Sequence, residues 1–379
     1  MIPFARHTEY ERGMKSVGIL GLGSFLPPTV RTNEYWEGRL RTRDEAQRRG
    51  DILALERTSN GDRASLAPEI EAAMAAMGDD LFRGARRRHV IDDRAEVSDM
   101  EAEAARRAMR DAGVHPSEID LVLVNSMVPD RIMPSNAPAV QAKCECSNAS
   151  AWSLDVGCAS FQPQMQTAAA LIRSGAYRKV LVVLSSAASR LVDYSTPMST
   201  GFGDGAAAAV LGEVPDGFGL VADWLRTDGT LREGVVFAPV VNGEPVRRWD
   251  LCAGPTRFAT FDTATGKRAG AEGTRFCREA CLAALDAASL RVEDVSLFVC
   301  NQSVGWFVDA CRRGLGLEAD RAIDTFGRVA NIGAAVVPFN LEHARASGRL
   351  KHGDIVLTYS PGAGFTRASN VMRWFDRSA

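Results

Sequence analysis

The 379-residue sequence predicts a layered α/β protein made of two similar halves. Strand-like and helix-like segments alternate along the chain, as they do where helices cover a sheet. One helix–loop–strand stretch recurs at a constant offset of 176 residues, the mark of an internal repeat. Its first copy has Glu103-Ala104-Ala105 and Ala108-Met109, then Ile119-Asp120-Leu121-Val122-Leu123-Val124-Asn125. Its second has Glu279-Ala280-Cys281 and Ala284-Leu285, then Val295-Ser296-Leu297-Phe298-Val299-Cys300-Asn301. Each half also ends in a Gly-rich turn, Gly203-Asp204-Gly205-Ala206 in one and Gly362-Ala363-Gly364-Phe365 in the other.

Taken in order, residues 16–25 are an apolar strand stopped by Leu26-Pro27-Pro28. Residues 34–83 have another texture. Arg39, Arg41, Arg43, Asp44, Glu45, Arg48, Arg49 and Asp51 are followed by Ser59-Asn60-Gly61-Asp62 and an Ala-rich helical stretch over 69–77. We read this as an exposed helical excursion on the first half, either a solvated face or a lining for a cleft or partner. Residues 103–112 have helical spacing, 119–125 are a short apolar strand, 161–174 are helical and 179–184 are a buried strand. The repeat divides the chain into a first half, 1–213, and a second, 214–379.

Composition narrows the function. The hydrophobic share is 46% and the charged share 24%, which suits a globular core. The 45 basic and 47 acidic residues leave −2, so nothing favours nucleic acid as a partner. The apolar runs 180–184 and 206–211 fall far short of the ~20 residues of a membrane span. Arg6, His7, Glu9, Glu11 and Arg12 interrupt the start as no signal peptide would. Eight cysteines are too sparse for a disulfide scaffold. Cys144 and Cys146 form a C-x-C without a second ligand pair, and Cys277 and Cys281 read as small buried residues on one helix. A soluble protein of a reducing cytoplasm, with no metal, is the expectation.

The nucleophile candidate is Cys158, in Asp155-Val156-Gly157-Cys158-Ala159-Ser160-Phe161. An apolar strand runs into Gly157 and a helix starts just beyond. Unpaired amides at a helix start would lower the thiol's pKa and cradle an oxyanion. On pattern alone a buried structural cysteine is the competing reading. Cys300, before Asn301-Gln302-Ser303, is a weaker second choice. Gly21-Leu22-Gly23 does not complete the dinucleotide fingerprint, and the chain has no G-x-S-x-G or P-loop.

These residues together resemble the thiolase-fold enzymes of the ketoacyl-ACP synthase III type, from about residue 16 to 374. The carriers are Gly18-Ile19-Leu20-Gly21-Leu22-Gly23 with Leu26-Pro27, Gly84-Ala85-Arg86-Arg87-Arg88-His89, the Cys158 segment, Gly201-Phe202-Gly203-Asp204-Gly205-Ala206, Ala330-Asn331-Ile332-Gly333-Ala334-Ala335 and Gly362-Ala363-Gly364-Phe365-Thr366. Each is weak alone; their order and spacing are specific. The resemblance implies a five-layered αβαβα fold from two duplicated halves. It implies an acyltransferase that takes an acyl group from acyl-CoA or acyl carrier protein (ACP) onto cysteine, with no bound cofactor, working as a homodimer.

Carried over, Cys158 is the nucleophile, Asn331 helps bind the second thioester, and the backbone amides of Cys158 and Ala363 form the oxyanion hole. The family's histidine, in a His-Gln-Ala-Asn motif, is replaced by Asn301 in Asn301-Gln302-Ser303-Val304. None of His7, His89, His115, His343 and His352 falls at that position. Asparagine donates hydrogen bonds but is no base. Cysteine acylation is thus expected to persist, while decarboxylative condensation is put in doubt.

Ser160 replaces a usual glycine, and the stretch before Gly84 is expanded. Trp36 and Arg83 are the loosely aligned candidates for gripping CoA, and the arginines between Arg39 and Arg88 a candidate patch for phosphate or carrier protein. A branch that joins two acyl chains carries a glutamate where this chain has Met133-Pro134, so that branch is disfavoured. The resemblance thus ranks acyl transfer to an acceptor nucleophile in polyketide or other specialised metabolism first. Condensation with a malonyl thioester comes next. A non-catalytic, carrier-protein-binding partner is the remaining alternative.

Overall fold

Residues 121–126 show how the layers arise. Leu121 and Leu123 face one core, Val122 and Val124 another, and all four are fully buried. A strand apolar on both sides needs cover on both sides. The protein is described by a computed structural model covering residues 15–40, 66–78, 80–242, 244–247 and 254–377.

In chain order the first part contains β1 (Val17–Phe25), β2 (Thr29–Thr32), α1 (Pro68–Met77), β3 (Arg87–Val90), α2 (Val97–Ala112), β4 (Leu121–Ser126), α3 (Asn136–Lys143), β5 (Ser150–Ser153), α4 (Phe161–Arg173), β6 (Val180–Ala187) and β7 (Asp204–Glu213). The second contains β8 (Gly219–Thr227), β9 (Val236–Val241), β10 (Glu244–Pro245), β11 (Thr256–Ala259), α5 (Thr263–Ala271), α6 (Gly273–Ala287), β12 (Leu297–Cys300), α7 (Phe307–Leu315), β13 (Ala322–Ile323), α8 (Phe326–Val329), α9 (Val336–Ala346), β14 (Ile355–Gly362) and β15 (Thr366–Arg373).

Two five-stranded sheets run β1-β7-β6-β4-β5 and β8-β15-β14-β12-β13. Position by position the pairings agree: antiparallel, antiparallel, parallel, parallel. The repeat seen in sequence is therefore a repeat of topology. Helices α4 and α9 lie in the core shared by the two sheets, where Phe161, Met165 and Ile172 meet Val336, Val337 and Leu341. Helices α2 and α3 cover the outside of the first sheet; α1, α6 and α7 cover the outside of the second. This is the five-layered αβαβα thiolase fold.

Gly21 and Gly23 owe their place to packing. A Cβ on either would stand 2.3 Å from the backbone nitrogen of Ala112 or Ala108, so their bareness lets α2 lie directly on β1.

The excursion needs a correction. Residues 41–65 and 79, with Arg41, Arg43, Asp44, Glu45, Arg48, Arg49, Asp51 and Ser59-Asn60-Gly61-Asp62, lie outside the described residues. Its described helix, α1, buries Ile70 and Ala73 in the second half's outer core, beside α7. The apolar face of α1 thus crosses onto the second half instead of standing exposed on the first.

Candidate active site

The chain leaves β5 through Leu154, whose amide still donates to Val124 O at 3.1 Å, and turns sharply into α4. Gly157 makes the turn with φ +59. Ala159 N donates to Val156 O at 3.3 Å and Ser160 N to Gly157 O at 3.1 Å. Ser160 closes it further: its hydroxyl accepts from Val156 N and donates to Gly157 O, both at 2.7 Å. A glycine could do neither, so the hydroxyl is a local lock.

Cys158 sits at the crown of this turn, partly exposed. Its thiol is not activated as the sequence suggested: burial, and next the Asp155 carboxylate, push it up to about 11, with only its own amide pulling down. Ala159 and Ser160 spend their amides inside the turn, and Pro163 has none to give. The helix-start donors that would hold a thiolate are therefore few.

The second half brings its own turn against this one. A Cβ on Gly362 would stand 2.4 Å from Val156 O, and one on Gly157 would stand 3.0 Å from Ala363 N. The two turns touch backbone to backbone. Phe365 N closes the second turn onto Gly362 O at 3.0 Å. The amides of Cys158 and Ala363 are left out of both sets of turn bonds.

Asn301 and Asn331 form a second cluster. Asn301 N continues the β12–β14 pairing by donating to Tyr359 O at 2.8 Å. Asn331 is clamped by the first half: its N donates to Gly201 O at 2.9 Å, and Gly203 N donates to its O at 3.1 Å. The buried Arg88 supports that clamp, its Nε donating to Thr200 O at 2.6 Å. Ala330, just before Asn331, is held at φ +56, and Gln302 Nε2 fixes its carbonyl at 2.7 Å.

The side chains close a ring. Asn301 Nδ2 donates to Gly333 O at 2.9 Å, and Gly333 N to Asn331 Oδ1 at 2.8 Å. Asn331 Nδ2 makes a long bond to Ser303 O at 3.4 Å, and Ser303 Oγ donates to Asn301 Oδ1 at 3.1 Å. Gln162, in the first turn of α4, reaches Ser360 Oγ at 3.0 Å, next to the Tyr359 that pairs with Asn301. The Cys158 turn and the asparagine cluster are so tied through β14.

Asp155 and Ser303 are functional candidates that sequence reasoning missed. Asp155 Oδ1 accepts from Asn125 Nδ2 at 2.8 Å and Gly157 N at 2.7 Å, beside the thiol it opposes. A polar residue three positions from the cysteine was the available signal. Ser303 stood in plain view two positions after Asn301.

Other candidates go elsewhere. Cys300 is fully buried among the α6 and α7 side chains, where its thiol donates to Asn301 O at 3.2 Å. Cys277 and Cys281 are buried as expected. His89 Nδ1 contacts Pro27 O, His115 caps a short turn, His343 lies beside Arg328 and His352 against Phe218; His7 lies outside the described residues.

Trp36 offers no open ring face as a CoA platform. It is 2% exposed, its Nε1 donates to Ser199 Oγ at 2.8 Å, and the Arg88 guanidinium lies 4.4 Å over its ring. Arg88 is likewise no phosphate anchor on the surface: it is fully buried. Arg83 stands before Gly84 with φ +49, at the turn whose amides Asp80 holds.

A cleft of about 550 Å³ lined by Leu20, Val114, Lys179, Glu213 and Phe375 opens at the start of β6, the end of the sheet opposite Cys158, and belongs to a different place. No described helix is long and apolar enough to cross a membrane, and no three described His, Cys, Asp or Glu residues are grouped to hold a metal.

Known proteins match this arrangement. The family profile for 3-oxoacyl-[acyl-carrier-protein] synthase III matches residues 153–229, and that for its C-terminal part residues 285–374. The chain is 30% identical to β-ketoacyl-[acyl-carrier-protein] synthase III of Caldanaerobacter subterraneus, covering 95% of this chain and 98% of that one. The same enzyme of Desulfitobacterium hafniense is 30% identical over 96% and 99%. Among solved structures, β-ketoacyl-[acyl carrier protein] synthase III of Thermus thermophilus superposes with a TM-score of 0.76 at 30% identity, over 94% of this chain and 99% of that one. The fold is shared with Xanthomonas campestris OleA, at a TM-score of 0.76 and 22% identity, over 98% and 100%.

Proposed function

Because the chain belongs to the 3-oxoacyl-[acyl-carrier-protein] synthase III family, we propose that it loads an acyl group on Cys158 and condenses it, with loss of carbon dioxide, onto a malonyl thioester. The observation that carries this reading is the polarity of the asparagine ring. Each Oδ1 already accepts one hydrogen bond and each Nδ2 donates one, so each carboxamide keeps one N–H to give, and neither can take up a proton as a base. Acyl transfer to a hydroxyl or amine, ranked first from sequence, needs a base at the acceptor. Decarboxylation needs none.

The steps balance without one. The Cys158 thiolate attacks the donor thioester, the oxyanion rests on the amides of Cys158 and Ala363, and the donor thiolate leaves with the proton the thiol lost. The malonyl carboxylate then departs as carbon dioxide, and its electron pair becomes an enolate whose oxygen takes hydrogen bonds from Asn301 and Asn331. The enolate carbon attacks the acyl carbonyl, and the Cys158 thiolate leaves and regains a proton. Neutral amides stabilise an enolate less than a cation does, so the step is expected to run about 10²-fold slower than with histidine present.

Acyl transfer stays as a second reading because Asp155 places a carboxylate beside the thiol, where it can take an acceptor's proton. The donor is read as acyl-CoA or acyl-ACP, with no bound cofactor, in a cytoplasmic setting. We read the chain as duplicated halves 1–213 and 214–379, and as a homodimer, a reading that the exposed apolar pair Ile132 and Met133 supports.

The test is intact mass after incubation with a panel of acyl-CoAs and acyl-ACPs, followed by carbon dioxide release from a malonyl donor. An adduct lost in Cys158→Ala, with release of carbon dioxide, supports condensation. An adduct without release, in the protein and in Asn301→His alike, refutes condensation and leaves transfer. No adduct with any donor refutes both and returns the carrier-protein-binding partner.

A further inference from the structure

The orientation of the two carboxamides is dictated by backbone groups of fixed polarity. A carbonyl only accepts, so Gly333 O requires the nitrogen of Asn301 to face it, at 2.9 Å. An amide N–H only donates, so Gly333 N requires the oxygen of Asn331, at 2.8 Å. That leaves Asn301 Oδ1 pointing the other way, inside a residue that is fully buried. The hydroxyl of Ser303 donates to it, at 3.1 Å. Ser303 also offers its carbonyl to Asn331 Nδ2, at 3.4 Å. One residue thus contacts both asparagines.

We propose that Ser303 is a positioning residue, whose hydroxyl holds Asn301 as a hydrogen-bond donor to the carbonyl oxygen of a bound thioester. With Oδ1 occupied, one Asn301 N–H goes to Gly333 O and the second is the group the ring leaves to give. Without the hydroxyl, Oδ1 becomes a buried acceptor in need of a donor, and only Gly333 O is left to oppose rotation of the carboxamide. A rotated Asn301 would turn an oxygen toward the thioester oxygen and repel it. This role rests on the condensing reading of the site, but the ring itself does not.

The experiment has two arms. The first follows the side-chain N–H pair of Asn301 by NMR in protein labelled with ¹⁵N-asparagine, the pair assigned by its loss in Asn301→Ala. The two protons should be well separated and slow to exchange; Ser303→Ala should broaden or merge them, and Ser303→Thr should restore them. The second measures carbon dioxide release from malonyl-CoA. Ser303→Ala should lower kcat about tenfold, the scale of one buried hydrogen bond, with KM and the alkylation rate of Cys158 unchanged. Ser303→Thr should recover most of the loss. In the Asn301→Ala background the serine substitution should cost nothing further.

An Asn301 pair unchanged by Ser303→Ala overturns the proposal, as does an equal loss of kcat with and without Asn301. A protein that shows the predicted NMR change but releases no carbon dioxide keeps the hold of Ser303 on Asn301 and refutes the condensing reading.

Discussion

Replacing Asp155 by asparagine should make Cys158 a more reactive thiol. The carboxylate is the one charged group that opposes ionisation of Cys158, second to burial, in a rise from 9.0 to about 11. At pH 8 a thiol at about 11 is roughly 0.1% thiolate, and one at 9.0 is roughly 10%. Because burial contributes more than Asp155, removing the charge recovers only part of the rise, and thiolate should increase by roughly tenfold at most. Lower basicity cancels nearly half of that logarithmic gain through weaker nucleophilicity. A net twofold to fourfold faster alkylation by iodoacetamide at pH 8 remains.

Asparagine keeps an oxygen to accept from Gly157 N and Asn125 Nδ2, so the turn should stand. The assay is the pH profile of alkylation, read as mass on the Cys158 peptide. The other described cysteines are buried and serve as internal controls. An alkylation midpoint that is unchanged, or higher, in Asp155→Asn would refute the reasoning. The same variant sorts the two functional readings: a base at Asp155 predicts slower transfer to an acceptor despite faster alkylation.

Three further expectations follow from the same contacts. Gly362→Ala would drive a Cβ to 2.4 Å from Val156 O and separate the two turns; Cys158 acylation should fall by at least about 10², with about 1–3 kcal/mol of stability lost to overpacking, checked by intact mass and urea unfolding. Glu101 is fully buried, accepting from Ser126, Ser185 and Asn136, and burial raises its pKa. A raised carboxyl stabilises the fold below its unfolded pKa and loses that contribution as pH rises through the folded value. The urea midpoint of Glu101→Gln should therefore gain on the wild type between pH 4 and pH 8, and a parallel pH slope would count against it. Trp36→Phe should cost about 1 kcal/mol for the lost bond to Ser199 while leaving KM for acyl-CoA unchanged; a severalfold higher KM would restore Trp36 as a CoA contact.

Much of the fold is legible in the chain because its signals are local. The apolar alternation of β4 and its echo in β12 announce the duplication, and the 176-residue offset recurs as the spacing from Leu121 to Leu297. The turn at Gly157-Cys158 and the loop at Asn331 carry their chemistry in adjacent residues. The placement of α1 is not local: Ile70 and Ala73 are apolar wherever they pack, and only the position of α7 selects the second half. Trp36 looks the same in sequence as a platform and as a core residue until Arg88 covers it.

The site divides along the same line. The sequence by itself determined which groups are present: the Cys158 thiol, the carboxamides of Asn301 and Asn331, and small residues where two turns must meet. Tertiary structure alone decided their state. The thiol is held un-ionised because burial and Asp155 surround it, and the carboxamides act as donors because Gly333, 32 residues from Asn301, presents a carbonyl to one and an amide to the other. Proton affinity and hydrogen-bond polarity depend on what stands within a few ångströms, and in this fold those neighbours come from both halves.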